Sequence, residues 1–154
     1  MKFSMVKANV IRHLGNHFAS RPCRVYDSDM MIRIEATHLG TFPDVSVVCG
    51  HSKFSDLRRV SLLNPCLIVE VLSDSTIGYD RGKKFWHYRH IESLETYVLI
   101  STGEILVEVY ERLDQGSWRL RTFEGLDGVM NLDKLEVSLP LASLYEKTSL
   151  IPDP

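Results

Sequence analysis

The stretch NPCLIVEVLSDSTIGYDRGKKFWHYRH, residues 64–90, decides how this chain folds. Its first part, CLIVEVL, is apolar on both faces apart from one acid, as a strand in the middle of a covered sheet should be. Period-two alternation places Ile68, Glu70 and Leu72 on a single face. An ionised carboxylate there costs several kcal/mol unless a cation, a metal or hydrogen-bond donors compensate it, in roughly the range known for buried charges. Something must therefore face Glu70, and a structural salt bridge is the plain alternative to a functional site. Ser73 to Ser75 offer N-caps for a helix expected from about Ile77 or Tyr79 to Ile91. Asp80 and Lys84 stand four apart on one face of it, with Tyr88 a further turn along. As an exposed pair they would contribute only about 0.3–0.5 kcal/mol. Gly82 costs about 1 kcal/mol against alanine inside a helix and hints at close packing or the approach of a ligand.

Outward from this stretch, FPDVSVVCG (residues 42–50) reads as a second strand, opened by Pro43 and closed by Gly50. Its alternation puts Asp44, Ser46 and Val48 on one side and Val45, Val47 and Cys49 on the other. Asp44 is thus a second acid on an apolar strand, and two carboxylates on adjacent strands could share a hard divalent cation. ETYVLIS (95–101) supplies a third strand close behind the helix, which makes a strand–helix–strand unit with parallel pairing. ILVEVYER (105–112) and SWRLRTF (117–123) read as an antiparallel hairpin through Asp114-Gln115-Gly116. Before the core, Val6, Val10, Leu14 and Phe18 define an amphipathic helix over Ser4 to Ala19. CRVYDSDMMIRIEA then gives two short strands, or one strand entered through a turn at Asp27-Ser28. The tail offers a brief strand, a last helix from about Pro140, and a frayed SLIPDP end.

The bulk properties exclude more than they assign. With 154 residues, 44% apolar and 25% charged, the chain is expected to form one globular domain over 1–154. No apolar run suits a membrane span and no signal peptide opens the chain, which points to the cytoplasm. Cys23, Cys49 and Cys66 form no CxxC pair and leave one unmatched, so all three are expected to be reduced, buried and apolar in role. A net charge of -2 gives no global attraction to a polyanion, which would have to be held by local groups. Arg58-Arg59, Arg81 with Lys83 and Lys84, and Arg119 with Arg121 are such groups, with ordinary solvated surface as the alternative. His13 and His17 are four apart, but no HExxH surrounds them, and solvent-facing histidines are the better reading. His87 and His90 flank a helix end, where a cation suits the dipole. Trp86, Tyr88 and Trp118 could stack bases, although packing is the default for such residues. No GxxxxGK[ST], GxGxxG or GxSxG occurs.

FPDVSVV, PCLIVEVLSDST, YDRGKKFWHYR, YVLI and VEVY together resemble the bacterial restriction-endonuclease-like proteins of the PD-(D/E)XK nuclease superfamily. The nearest group is a broadly distributed endonuclease family long catalogued as a domain of unknown function, and the likeness runs from about Ala8 to Tyr145. It implies an α/β fold with a restriction-endonuclease-like mixed central sheet flanked by helices. It also implies a metal-dependent endonuclease acting on DNA phosphodiester bonds, with possible pairing of two subunits in a homodimer. By position, Asp44 matches the aspartate of the PD element and Glu70 the acid of the second strand. The superfamily lysine usually stands two residues after that acid, where this chain has Leu72. The matching lysine is instead Lys84 on the following helix, with Asp80 as its partner and Lys83 as the competing candidate. Family members usually carry an acidic ELIDGE-like element ahead of the first helix, whereas this chain begins almost at that helix.

On this reading Asp44, Glu70 and the backbone carbonyl of Val71 would coordinate Mg²⁺ or Mn²⁺. Lys84 would orient the attacking water or neutralise the phosphate, and Asp80 would hold Lys84. Ser73 would donate to a carboxylate or phosphate, or simply cap the helix. Two rivals stand beside it. One is a catalytically silent nuclease-like module that binds DNA or protein; the other is a different hydrolase that uses Asp44 and Glu70 as an acid/base pair, without Lys84 nearby.

Overall fold

The computed structural model describes residues 2–56, 58–73 and 80–153, without the side chains of residues 80, 81 and 115. Six strands form the central sheet: β1 (Cys23–Tyr26), β4 (Val45–Cys49), β6 (Leu67–Leu72), β7 (Thr96–Ser101), β8 (Leu106–Arg112) and β9 (Trp118–Glu124). They lie in the order β1-β4-β6-β7-β8-β9. Only β6 and β7 run parallel, and every other neighbouring pair is antiparallel. This is the mixed sheet expected from the sequence. The parallel pair is the one bridged by the helical connection, which a parallel step requires and a hairpin cannot supply.

Alternation along β6 divides the apolar residues between the two faces. Leu67, Val69 and Val71 join Val45 and Val47 of β4 and Val98 and Ile100 of β7. Helix α1 (Lys2–Phe18) covers that face with Val6, Val10, Leu14 and Phe18. Ile68 and Leu72 join Val48, Tyr97 and Leu99 on the opposite face, where Tyr88, Ile91 and Leu94 cover them. All six β6 residues are buried, as its composition requires. Among the described residues, no helix is long and apolar enough to cross a membrane.

Two smaller sheets complete the described chain. One orders β3 (Leu39–Thr41), β2 (Met31–Ile34) and β5 (Ser61–Leu62); the other pairs β10 (Val129–Leu132) with β11 (Val137–Pro140). A four-residue helix, α3 (Leu141–Leu144), follows directly.

Four expectations need correction. The helix after β6 is described as a π-helical turn, Asp80–Lys84, leading into α2 (Phe85–Tyr88). It stops before Ile91 because His90 and Ile91 donate to the carbonyls three residues back, His87 and Tyr88, tightening the chain so that Ile91 and Leu94 are buried. The predicted start, with Ser75 and Ile77, lies outside the described residues. Gly82 is not packed closely against the described residues, since among them a Cβ added there would meet nothing within 4 Å.

The cysteines are not all reduced. Cys23 and Cys49 are opposite one another in the β1–β4 register and form a disulfide. Cys66 is free; its Sγ donates to the Val47 carbonyl and lies 3.7 Å from the Cys49 sulfur. Burial pushes its thiol up to about 11. Finally, the end of the chain is anchored, because Leu150 and Ile151 pack against the α1-side core.

Candidate active site

The register of β4 against β6 builds the site. Val45 pairs with Val69, so one residue beyond the ladder Asp44 stands opposite Glu70. A strand end leaves backbone donors without ladder partners, and such donors must be satisfied elsewhere. Here the two acids satisfy them reciprocally. The Asp44 N–H donates to Glu70 Oε1 at 2.9 Å, and the Val71 N–H donates to Asp44 Oδ2 at 2.8 Å. Both carboxylates are thereby fixed where the β4–β6 pairing ends, with one oxygen of each engaged by backbone.

The other two oxygens face ammonium groups from opposite layers. Lys84, at the end of the π-helical turn, donates from Nζ to Glu70 Oε2. Lys7 comes from α1 on the other face of the sheet; its Nζ lies 3.4 Å from Asp44 Oδ1 and donates to Ser28 Oγ at 3.0 Å. Glu70 is 1% exposed, whereas the side chains of Asp44, Lys84 and Lys7 are 16%, 20% and 23% exposed. A buried acid thus sits behind three partly accessible groups.

Burial raises the Glu70 carboxyl from 4.5 to about 7. The Lys84 charge and hydrogen bond, and the bond from the Asp44 amide, oppose that rise, while the neighbouring Asp44 charge adds to it.

Asp44, Glu70 and Lys84 come together in space, as the sequence pattern asked. Lys83 is exposed, and between the two lysines it is Lys84 that meets Glu70. This closeness removes the expectation attached to the acid/base-pair hydrolase, which had no lysine beside the carboxylates. Val71 is seen engaging the site through its amide. The Asp80 backbone opens the π-helical turn, but its side chain lies outside the described residues. Lys7 was not anticipated. On sequence it is one lysine on the polar side of an amphipathic helix, and no spacing rule links residue 7 to residue 44.

Other candidates are drawn elsewhere. His13 bonds Glu146 Oε1 at 3.0 Å and His17 reaches the Glu136 carbonyl at 3.1 Å, which ties α1 to the C-terminal segment. Arg119 and Arg121 pair with Glu111 and Asp133, so they are no free basic patch. Tyr88 is core, while Trp86 is 48% exposed. Trp118 stacks under the Arg112 guanidinium at 4.5 Å.

Among the described residues no three His, Cys, Asp or Glu side chains gather around one point. The donor chemistry nevertheless suits a hard cation. Asp44 and Glu70 offer only oxygen, and their outward oxygens are already compensated by positive charge. A Mg²⁺ or Mn²⁺ ion that keeps several waters needs no larger protein set than one or two carboxylates.

Comparison with known proteins places this chain in a family. Two uncharacterized proteins of Synechocystis sp. are each 35% identical to this chain, over 142 and 117 residues. Those matches cover 92% and 76% of this chain and 73% and 66% of the relatives. A crystal structure of a "putative nuclease belonging to DUF820" from Anabaena variabilis superposes with a TM-score of 0.77 at 17% identity, covering 94% of this chain and 80% of that one. Its likeness establishes the fold. Residues 3–142, which hold Lys7, Asp44, Glu70 and Lys84, match the family described as "Putative restriction endonuclease", and the chain therefore belongs to this restriction-endonuclease-like Uma2 family.

Proposed function

We propose that the chain is a divalent-metal-dependent endonuclease that hydrolyses DNA phosphodiester bonds. The observation that carries this reading is the Lys84 ammonium on Glu70 Oε2 while the other Glu70 oxygen is fixed by the Asp44 amide. Two acids and a lysine, distant in sequence, thus meet where the β4–β6 pairing ends.

Asp44 and Glu70, with the Val71 backbone carbonyl, would hold Mg²⁺ or Mn²⁺. When bound, the ion supplies a more acidic water and positive charge for the phosphate oxygens. The remaining work falls to the chain. The Asp44 and Val71 amides hold one oxygen of each carboxylate and so fix the two acids beside one another. Lys84, anchored by Glu70, orients the attacking water and places positive charge where the phosphate becomes more negative. The backbone of Asp80, four residues earlier, belongs to the same turn, and its carboxylate would hold Lys84 in register. Leu72 fills the usual lysine position as a buried core residue, and Lys84 reaches the same acid from the following element. Cutting both strands of a duplex invites two such sites, which a homodimer would supply.

Plasmid nicking with Mg²⁺ or Mn²⁺ tests this reading. The parent is expected to convert supercoiled DNA, and Glu70→Ala and Lys84→Ala to lose that conversion. Unchanged cleavage by both variants would remove the catalytic assignment. A parent that binds DNA and never cuts it would instead identify a nuclease-like binding module.

A further inference from the structure

Lys7 is the one member of the cluster that the endonuclease reading leaves without a role. Its stem belongs to α1, which covers the sheet face opposite the one covered by Tyr88 of α2. Its ammonium nevertheless reaches past the sheet end to Asp44 Oδ1 at 3.4 Å and to Ser28 Oγ at 3.0 Å. A lysine with no other task would extend into water, because holding a long side chain in one geometry costs rotamer entropy that an exposed ion pair scarcely repays. This pair is partly buried, and Lys7 also lies over the exposed ring of Phe3 at 5.6 Å. The contact at Asp44 is long for a charge-assisted hydrogen bond, whereas that to Ser28 has normal length. Lys7 is therefore tethered by Ser28 and only loosely committed to Asp44.

Resting on the endonuclease reading, we propose that Lys7 is a phosphate-binding residue of the same site. Asp44 holds it in reserve, and it is freed when a divalent cation takes Asp44 Oδ1. Two consequences have opposite sign. Lys7 competes with the metal for one oxygen, so its charge weakens metal binding. Once displaced, it stands at the site mouth beside Ser28 and Phe3 and meets the nucleic-acid backbone. A structural lysine would do neither, because its loss would loosen Asp44 and weaken both ligands together.

The experiment uses Lys7→Met, which keeps the stem and removes the charge, and Lys7→Arg, which restores it. Mn²⁺ affinity is measured by calorimetry, and binding of a short DNA duplex is followed in Ca²⁺ across a salt series. Lys7→Met is expected to bind Mn²⁺ a few-fold more tightly, at about the scale of one partly screened charge pair. It is expected to bind duplex more weakly, with the slope of log affinity against log salt reduced by about one. Lys7→Arg should recover the parental slope. Weaker Mn²⁺ binding by Lys7→Met, or an unchanged salt slope, overturns the role of Lys7 while leaving the endonuclease reading intact. A parent that binds neither Mn²⁺ nor duplex overturns both.

Discussion

Two buried glutamates on the same sheet invite comparison. Glu70 on β6 and Glu111 on β8 are each 1% exposed, and among the described side chains each belongs to a group of two acids and two cations. Their surroundings differ in kind. Glu111 Oε1 accepts from Arg119 at 3.1 Å and Arg121 at 2.8 Å, and Oε2 accepts from the Lys134 amide at 3.3 Å. Arg121 also donates to the Asn131 carbonyl, and Asp133 closes the other side of both guanidiniums. The result stitches β8, β9 and the β10 region together with planar donor forks, which are poorly suited to exchange. At Glu70 the cations are single ammoniums on flexible stems from two different layers, and the second acid is aligned beside the first by backbone amides. A buried acid by itself therefore says little. Adjacent acids with replaceable point-charge partners distinguish a site from a staple.

The largest expected difference is in activity. Glu70→Gln should lower the nicking rate by at least about 100-fold, the lower end for loss of a group acting on the reacting atoms. Glu111→Gln should leave the rate per folded molecule within about twofold, as expected for a residue outside the reacting groups. Equal losses in the two variants would dissolve the distinction.

Stability should show the reverse order. Glu111→Gln leaves two guanidiniums facing a neutral group, and an unfolding free energy lower by about 1–3 kcal/mol is expected from urea titration, less than for a fully buried pair because the arginines are partly exposed. Glu70→Gln should cost less at neutral pH, since its carboxylate is penalised by burial. A larger loss for Glu70→Gln than for Glu111→Gln at pH 7 would contradict this.

The smallest effect concerns pH. Glu70 binds its proton more tightly in the folded chain than in the unfolded one, at about 7 against 4.5. Its contribution to stability is therefore fully present below about pH 4.5 and is lost as the pH rises through about 7. The stability of the parent relative to Glu70→Gln should accordingly be greater at pH 5 than at pH 8, as read from paired urea curves. A constant or reversed difference would show that Lys84 and the amides outweigh burial.

Long or strongly patterned elements were readable before folding was considered. The apolar run around Glu70, the hairpin through Gly116 and the amphipathic α1 each repeat a period often enough to identify themselves. Strands β3, β5 and β10 did not, because so few residues offer little period to read, and β5 depends as well on β2, far back in the chain. Nor can composition separate a π-helical turn from an α-helical one at Asp80–Lys84. The cysteine reading failed for a related reason. Only the β1–β4 register brings Cys23 beside Cys49, and register is a property of the paired sheet.

The sequence by itself determined that an acid lies in a covered central strand, that a second acid opens a neighbouring strand, and that a lysine follows on a helical connection. These are local facts, written in alternation and spacing. Tertiary structure alone decided that Asp44 stands opposite Glu70, that Lys84 rather than Lys83 turns inward, and that Lys7 joins from the far face. Those outcomes depend on strand register and on which ends of two layers meet, and long-range packing fixes both.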